Sequence, residues 1–329
     1  IHGSDGVSRV SKLDSLDMGG EPSRNIWLDA AERFVGNRLA VVGLVIVFVF
    51  VFTAIFGSFL APYDPLEQNL RNTFKPPSMK NWLGTDDLGR DVLSRLMVSA
   101  KTALLVAFVS VSISLLIGTV FGLLAGYMGS KVDTIIMWLN DVTQSIPQLL
   151  LAMILVISVR IPINNWIDHL YLDTNWPIFS PTGRGWVDFV IIFGVLALIS
   201  WPSYARLIRG QVLKLSEEDF VMAARSVGAS EWRIMFKHIL PNAMGPIIVM
   251  TTYNIGTAIV AEAGLSFLGI GVQPPNTSWG SMLAQGWKVW VIAPHIMLAP
   301  AIAVALVRIT FNFLGDGLSE ALNPSSGKI

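Results

Sequence analysis

Six apolar stretches of this chain, each free of Asp, Glu, Lys and Arg, are candidate spans: Leu39–Tyr63, Thr102–Ser130, Val142–Val159, Phe189–Ala205, Ile239–Ala261 and Val289–Val307. A helix needs about 20 apolar residues to cross a bilayer core, so the expectation is an all-α polytopic membrane protein with six transmembrane helices. Pro246, Pro294 and Pro300 interrupt the last two windows. Membrane helices tolerate proline where neighbours satisfy the freed backbone groups. Only 14% of the residues are charged and 53% are hydrophobic, against about 25% charged in soluble domains. A large soluble core would need long polar faces on its helices, and a single segment has one.

Lys and Arg set the orientation. With the N-terminus inside, thirteen of the 23 lie on the inner side and nine on the outer, six of the nine in the first outer loop, with Arg308 at the edge of the sixth window counted on neither side. The resulting plan is a cytoplasmic tail at 1–38, a first span at 39–63 and an extracytoplasmic loop at 64–101. A five-span core at 102–315 holds a cytoplasmic loop at 206–241, and a cytoplasmic tail at 316–329 follows. Residues 1–25 lack the apolar core of a signal peptide, and Ile1 in place of Met suggests a start inside a longer chain or after an appended segment. In the first outer loop Val92, Leu93, Leu96, Met97 and Ala100 recur at helical spacing, which predicts an amphipathic helix lying at the interface. Trp166, Trp176 and Trp186 fit anchors at headgroup level.

The segment with the polar face is 216–241. Ser216 and Asp219 form an S-x-x-D box, and Glu217, Glu218 and Asp219 suit a helix N-terminus. The helix is expected to end near Val227, with Gly228 supplying the left-handed conformation. Ser230 reads as a second N-cap for a helix from Glu231 to Leu240, closed by Pro241. Trp232, Met235, Phe236 and Ile239 are expected on one face of it. Two short amphipathic helices around a glycine corner fit either a plain interfacial loop or a docking element.

A transport path should show as polar residues on one side of a span. Asp141, Gln144, Ser145 and Gln148 fall at i, i+3, i+4 and i+7 beside Pro147. Asn254 lies inside the fifth window. Lining a path and hydrogen bonding between helices both explain such residues. Glu262 is expected near the outer interface, and Arg308 and Asp316 at the inner one.

Several chemistries are absent from the sequence. There is no cysteine, hence no thiol nucleophile or disulfide. No G-x-x-x-x-G-K-[ST] occurs, so the chain has no P-loop of its own. His2, His169, His238 and His295 are far apart, which argues against a metal site. The net charge of zero implies no nucleic-acid partner.

The stretch AARSVGASEWRIMFKHILPNAMGPIIV resembles the cytoplasmic Glu-Ala-Ala loop of ABC importer permeases through Ala223, Ala224, Gly228 and Leu240-Pro241. Met222 stands where that family has Glu, and His238 replaces an apolar residue. NRLAVVGLVIVFVFVFTAIFGSFLAPYDP, NWLGTDDLGRDVLSRLMVSAKTALLV, AEAGLSFLGIGVQPPNTSWGSMLAQG and GDGLSEALNP are similar to the C-type permease of dipeptide and oligopeptide importers. The resemblance covers about Asn37 to Pro324. It implies a type I ABC importer permease fold in a bacterial or archaeal inner membrane, with no catalysis of its own. It also implies a homologous second permease, two cytoplasmic ATPase subunits that use ATP and Mg, an extracytoplasmic solute-binding protein and a short peptide as substrate. Relatives carry nickel chelates, glutathione or oligosaccharides. The 206–241 loop would then couple to the ATPases through Glu218, Asp219, Met222, Ala223, Ala224, Arg225, Gly228, Ala229 and Ser230. A rival, an ion-driven secondary transporter, would need charged relays deep in the spans. Arg308 and Asp316 are not read as such a relay.

Overall fold

A computed structural model describes residues 26–180 and 185–322, so the expectations for 1–25 and 323–329 lie outside the described residues. Within those limits the chain is helical, with one isolated β-bridge between Thr85 and Asp91. Helix α1 is Ile26–Gly36 and α2 is Arg38–Leu60; α3 is Val92–Met128, α4 Ser130–Ser145, α5 Gln148–Thr174 and α6 Trp186–Leu215. Helix α7 is Asp219–Ser226. We call 231–242 α8: an α-turn at Glu231–Arg233, a π-helical turn at Ile234–Ile239 and an α-turn at Leu240–Asn242. Helix α9 is Met244–Phe267, α10 Trp279–Lys288 and α11 Pro294–Leu322. Six of these, α2, α3, α5, α6, α9 and α11, are long and apolar enough to cross a membrane.

Local chemistry sets many of the ends. Asn37 caps α2 by accepting from the Ala40 N–H at 3.1 Å, and Asp91 caps α3 by accepting from the Ser94 N–H at 2.8 Å. Ser278 and Ser281 form a reciprocal capping box on α10. Gly129, at φ +58°, separates α3 from α4.

Helices α3 and α6 share the most extensive contact between elements. They run parallel: Gly118 faces Trp201 and Tyr204, Gly122 faces Ala205 and Ile208, and Gly126 faces Arg209 and Val212. A Cβ on Gly122 would stand 2.8 Å from the Ala205 carbonyl oxygen. In lipid, helices gain little hydrophobic drive from meeting each other, and close approach at small residues supplies the packing. Ser114 adds a polar tie, donating to the Ala197 carbonyl at 3.2 Å. One core cluster joins α3 and the end of α6 to α7, α8, α9 and α11; a second joins α5, the start of α6 and α9.

Several expectations need correction. Residues 92–101 are no separate interfacial helix: they form the first turns of α3, with Val92 and Ala100 buried and the Trp279 indole donating to the Leu96 carbonyl at 2.9 Å. The apolar spacing was real, but it faces protein. The third window is cut at Ile146-Pro147, because a proline pushes the residue before it out of the helical region. Helix α5 then continues to Thr174, through much of the expected outer loop. Glu262, five residues from the end of α9, is fully buried in the protein rather than exposed at a surface and accepts from the Ser266 hydroxyl at 2.6 Å. The 316–329 tail begins inside α11, where Gly317 lies against Phe34 and Ala40 and Glu320 accepts from Asn37 at 2.8 Å. The expected N-terminal tail likewise contains α1, packed on α11. Arg308 and Asp316 bind α11 to α9, through the Tyr253 carbonyl at 2.9 Å and its hydroxyl at 2.5 Å.

Candidate functional site

The first site is the corner between α6 and α8. Ser216 caps the end of α6 by donating to the Leu213 carbonyl at 2.9 Å, and Glu218, not Ser216, is the N-cap of α7. The end of α7 is a Schellman motif: the Gly228 N–H donates to the Arg225 carbonyl at 2.9 Å and the Ala229 N–H to the Ala224 carbonyl at 3.1 Å. Gly228 has φ +78°, which the motif demands and glycine supplies without strain. Val221 and Ala224 pack inward. Glu218, Asp219, Met222, Ala223, Arg225, Gly228 and Ser230 are exposed, and Ala229 is half-buried.

Helix α8 splits the face expected from sequence. Ile234, Met235 and Ile239 are buried, whereas Trp232 and Phe236 are exposed and stack on each other, ring centroids 5.9 Å apart and 13° from parallel. The π-turn is the reason: the Leu240 N–H donates to Met235, five residues back, so a 3.6-residue period no longer predicts who shares a face. Met222 and Val227 of the same corner are also exposed, as are Arg225, Arg233 and Lys237.

The second site is a cavity of about 330 Å³ between α4, α5, α6 and α9. Gln144, Gln148 and Asn254 line it, as do Thr143, Ser200 and Ser203, which sequence reasoning missed. Ser200 and Ser203, three apart beside Pro202 in an apolar window, were the available signal. Ser145 and Asp141 are not on the wall. Ser145 donates back to the Val142 carbonyl at 2.7 Å, and Asp141 pairs with Arg206 at 2.7 Å. The break at Ile146-Pro147 forms part of the wall. Irregular backbone at membrane depth is tolerated where it lines a polar cavity or is buried in protein, so the break and the polar lining support each other.

Residues 118–328 match the family described as binding-protein-dependent transport system inner membrane component, and residues 25–77 match the N-terminal TM domain of oligopeptide transport permease C. The oligopeptide transport system permease protein OppC of Bacillus subtilis is 37% identical over 93% of this chain and 92% of its own length. The dipeptide transport system permease protein DppC of Alkalihalophilus pseudofirmus is 37% identical over 91% and 90%. The glutathione transport system permease protein GsiD of Escherichia coli is 38% identical over 92% and 91%. The chain is therefore a multi-pass inner-membrane transport subunit rather than an enzyme. It belongs to the binding-protein-dependent permeases of ABC importers, in the oligopeptide and dipeptide group.

Proposed function

We propose that this chain forms one half of the path of an ATP-driven importer for short peptides, with the cavity at the α4–α5 break as its part of that path. The carrying observation is the polar lining by Gln144, Gln148, Asn254 and the two serines around an interrupted span. A second, homologous permease closes the open side of the path. Two cytoplasmic ATPase subunits hold ATP and Mg, and one of them docks on the corner through Glu218, Asp219, Met222, Ala223, Ala224, Arg225, Gly228, Ala229 and Ser230. An extracytoplasmic binding protein delivers the peptide, and both termini lie in the cytoplasm. Support for the docking role comes from the corner's exposed apolar residues, Met222, Val227, Trp232 and Phe236, together with its exposed charged ones, a composition suited to a protein interface.

Named glutathione permeases among the relatives favour a second reading, in which the substrate is that modified tripeptide. Uptake by proteoliposomes holding the complete importer tests both. ATP with the binding protein is expected to drive peptide uptake that a proton gradient alone does not. Uptake of glutathione and of no unmodified peptide would replace the peptide assignment with the second reading, and gradient-driven uptake without ATP would overturn both.

A further inference from the structure

An ion pair, Arg206 with Asp141, adjoins the cavity wall: Arg206 bonds to Gln144, which lines it. The α6 residues on the cavity wall, Leu196, Ile199, Ser200 and Ser203, all precede Arg206; those of α4, Thr143 and Gln144, both follow Asp141. Helices α4 and α6 run antiparallel, since Asp133 faces Arg209, Asp141 faces Arg206 and Asn140 faces the Pro202 carbonyl. Arg206 and Asp141 therefore lie at the end of the cavity nearer the corner. Leu215, the last residue of α6, is roughly 13 Å further on at 1.5 Å per residue.

The two ion pairs between these helices differ in kind. Arg209 grips Asp133 with two bonds, 2.5 Å from Nε and 2.6 Å from Nη2, and the side chains are 32% and 22% exposed. Arg206 reaches Asp141 with Nη2 alone, at 2.7 Å, and the side chains are 53% and 70% exposed. A pair so exposed adds little stability. The remaining contacts tie the guanidinium to Asn140 and to the cavity wall. Nη2 also donates to Asn140 Oδ1 at 2.9 Å, and Nη1 donates at 3.2 Å to Oε1 of Gln144, a residue of the wall. Asn140 is buried and its amide is committed to the Pro202 carbonyl at 2.7 Å, which fixes its oxygen as a permanent acceptor. Arg206 is thus held in place by Asn140, and its carboxylate partner is free to be exchanged.

We propose that Arg206 is the binding group for a carboxylate of the translocated substrate, which displaces Asp141 as it moves toward the corner end of the cavity. A guanidinium binds a carboxylate best through two parallel N–H bonds, and Asp141 uses only one. The ligand class is a free carboxylate, which the C-terminus of a peptide offers. This rests on the cavity being the substrate path.

The test uses the complete importer in proteoliposomes and a free tripeptide, with assembly followed by gel filtration. R206Q is expected to slow ATP-driven uptake at least tenfold without changing the half-saturating peptide concentration, R206K to recover part of the rate, and D141N to cost under threefold. The exchanged pair, R206D with D141R, is expected to stay as slow as R206Q. Equal losses in R206Q and D141N, with recovery in the exchanged pair, would make the contact a strut between helices and overturn the proposal. If R206Q does not assemble, R206K and the exchanged pair separate the same two outcomes. Wild-type importer that carries no peptide would instead overturn the peptide reading. The same variants are then run on glutathione, whose carboxylates make the same demand on Arg206.

Discussion

Arg225, on the exposed side of α7, stands over the ring of Tyr127 at the end of α3, 5.7 Å from its centroid, and donates to its hydroxyl at 3.3 Å. The corner is thereby tied to α3 as well as to α6, and those two helices pack as a unit through Gly118, Gly122 and Gly126. Exposed cation–π contacts contribute about 0.5–1 kcal/mol. Tyr127→Phe keeps the ring and is expected to leave ATP-driven uptake within about twofold, whereas Tyr127→Leu loosens the corner and lowers uptake about two- to fivefold, the range that energy allows. Uptake rates of the two reconstituted variants, compared at equal protein, check this.

Gly228 has open space where a Cβ would go but a φ of +78°. Substitution there meets only backbone strain, about 1–2 kcal/mol for an L-residue and more for a β-branched one. Gly228→Val is expected to abolish most ATP-driven uptake with insertion intact, and Gly228→Asn, which tolerates this region, to keep most of it. Membrane fraction yield together with uptake separates the two effects. Full uptake in the valine variant would sink the coupling role of the corner.

The α3–α6 seam gives a stability test with its own control. A Cβ on Gly122 would stand 2.8 Å from both the Ala205 carbonyl oxygen and Ile208 Cβ, while Gly194, on α6, has nothing within 4 Å. Gly122→Ala should therefore cost about 1–3 kcal/mol, the range for overpacking a filled interior. Gly194→Ala should cost nothing. Thermal unfolding of the purified variants in one detergent reads the difference.

Asp86 anchors the loop before α3. Its side chain is 1% exposed and accepts from Arg95, which is 3% exposed, as well as from Arg90 Nε at 2.7 Å and the Leu88 N–H at 2.9 Å. Asp86→Ala strands a buried guanidinium, a loss of about 3–5 kcal/mol. Asp87, 46% exposed and 3.5 Å from Arg90, is expected to tolerate alanine with a change of under about 0.5 kcal/mol. The paired melting temperatures distinguish a buried anchor from a surface charge.

Some of this architecture was written locally. Asn37, Asp91 and Gly228 set their helix ends through bonds within a few residues, and the sequence showed part of this: Gly228 as a corner, Pro147 as a neighbour of polar residues. Other readings failed where the partner of a helix face was at issue. Val92 and Ala100 share a stripe that suits a membrane surface equally well, and only the packing of α3 against α10 and α2 buried it. Trp232 and Phe236 left the face of Met235 and Ile239 because a π-turn changed the period. Asp141 and Ser145 lie off the cavity wall, Asp141 paired with Arg206 and Ser145 bonded to the Val142 carbonyl.

The sequence by itself determined how many times the chain crosses the bilayer, because the cost of a charge in hydrocarbon is levied residue by residue and needs no knowledge of neighbours. It also determined the glycine corner, whose hydrogen bonds close within six residues. Only the tertiary structure decided that Gln144, Gln148, Ser200, Ser203 and Asn254 face one cavity, and that Arg206 bonds to Gln144 on its wall. Those residues come from four helices, and periodicity reports which face a residue is on but never what that face will meet.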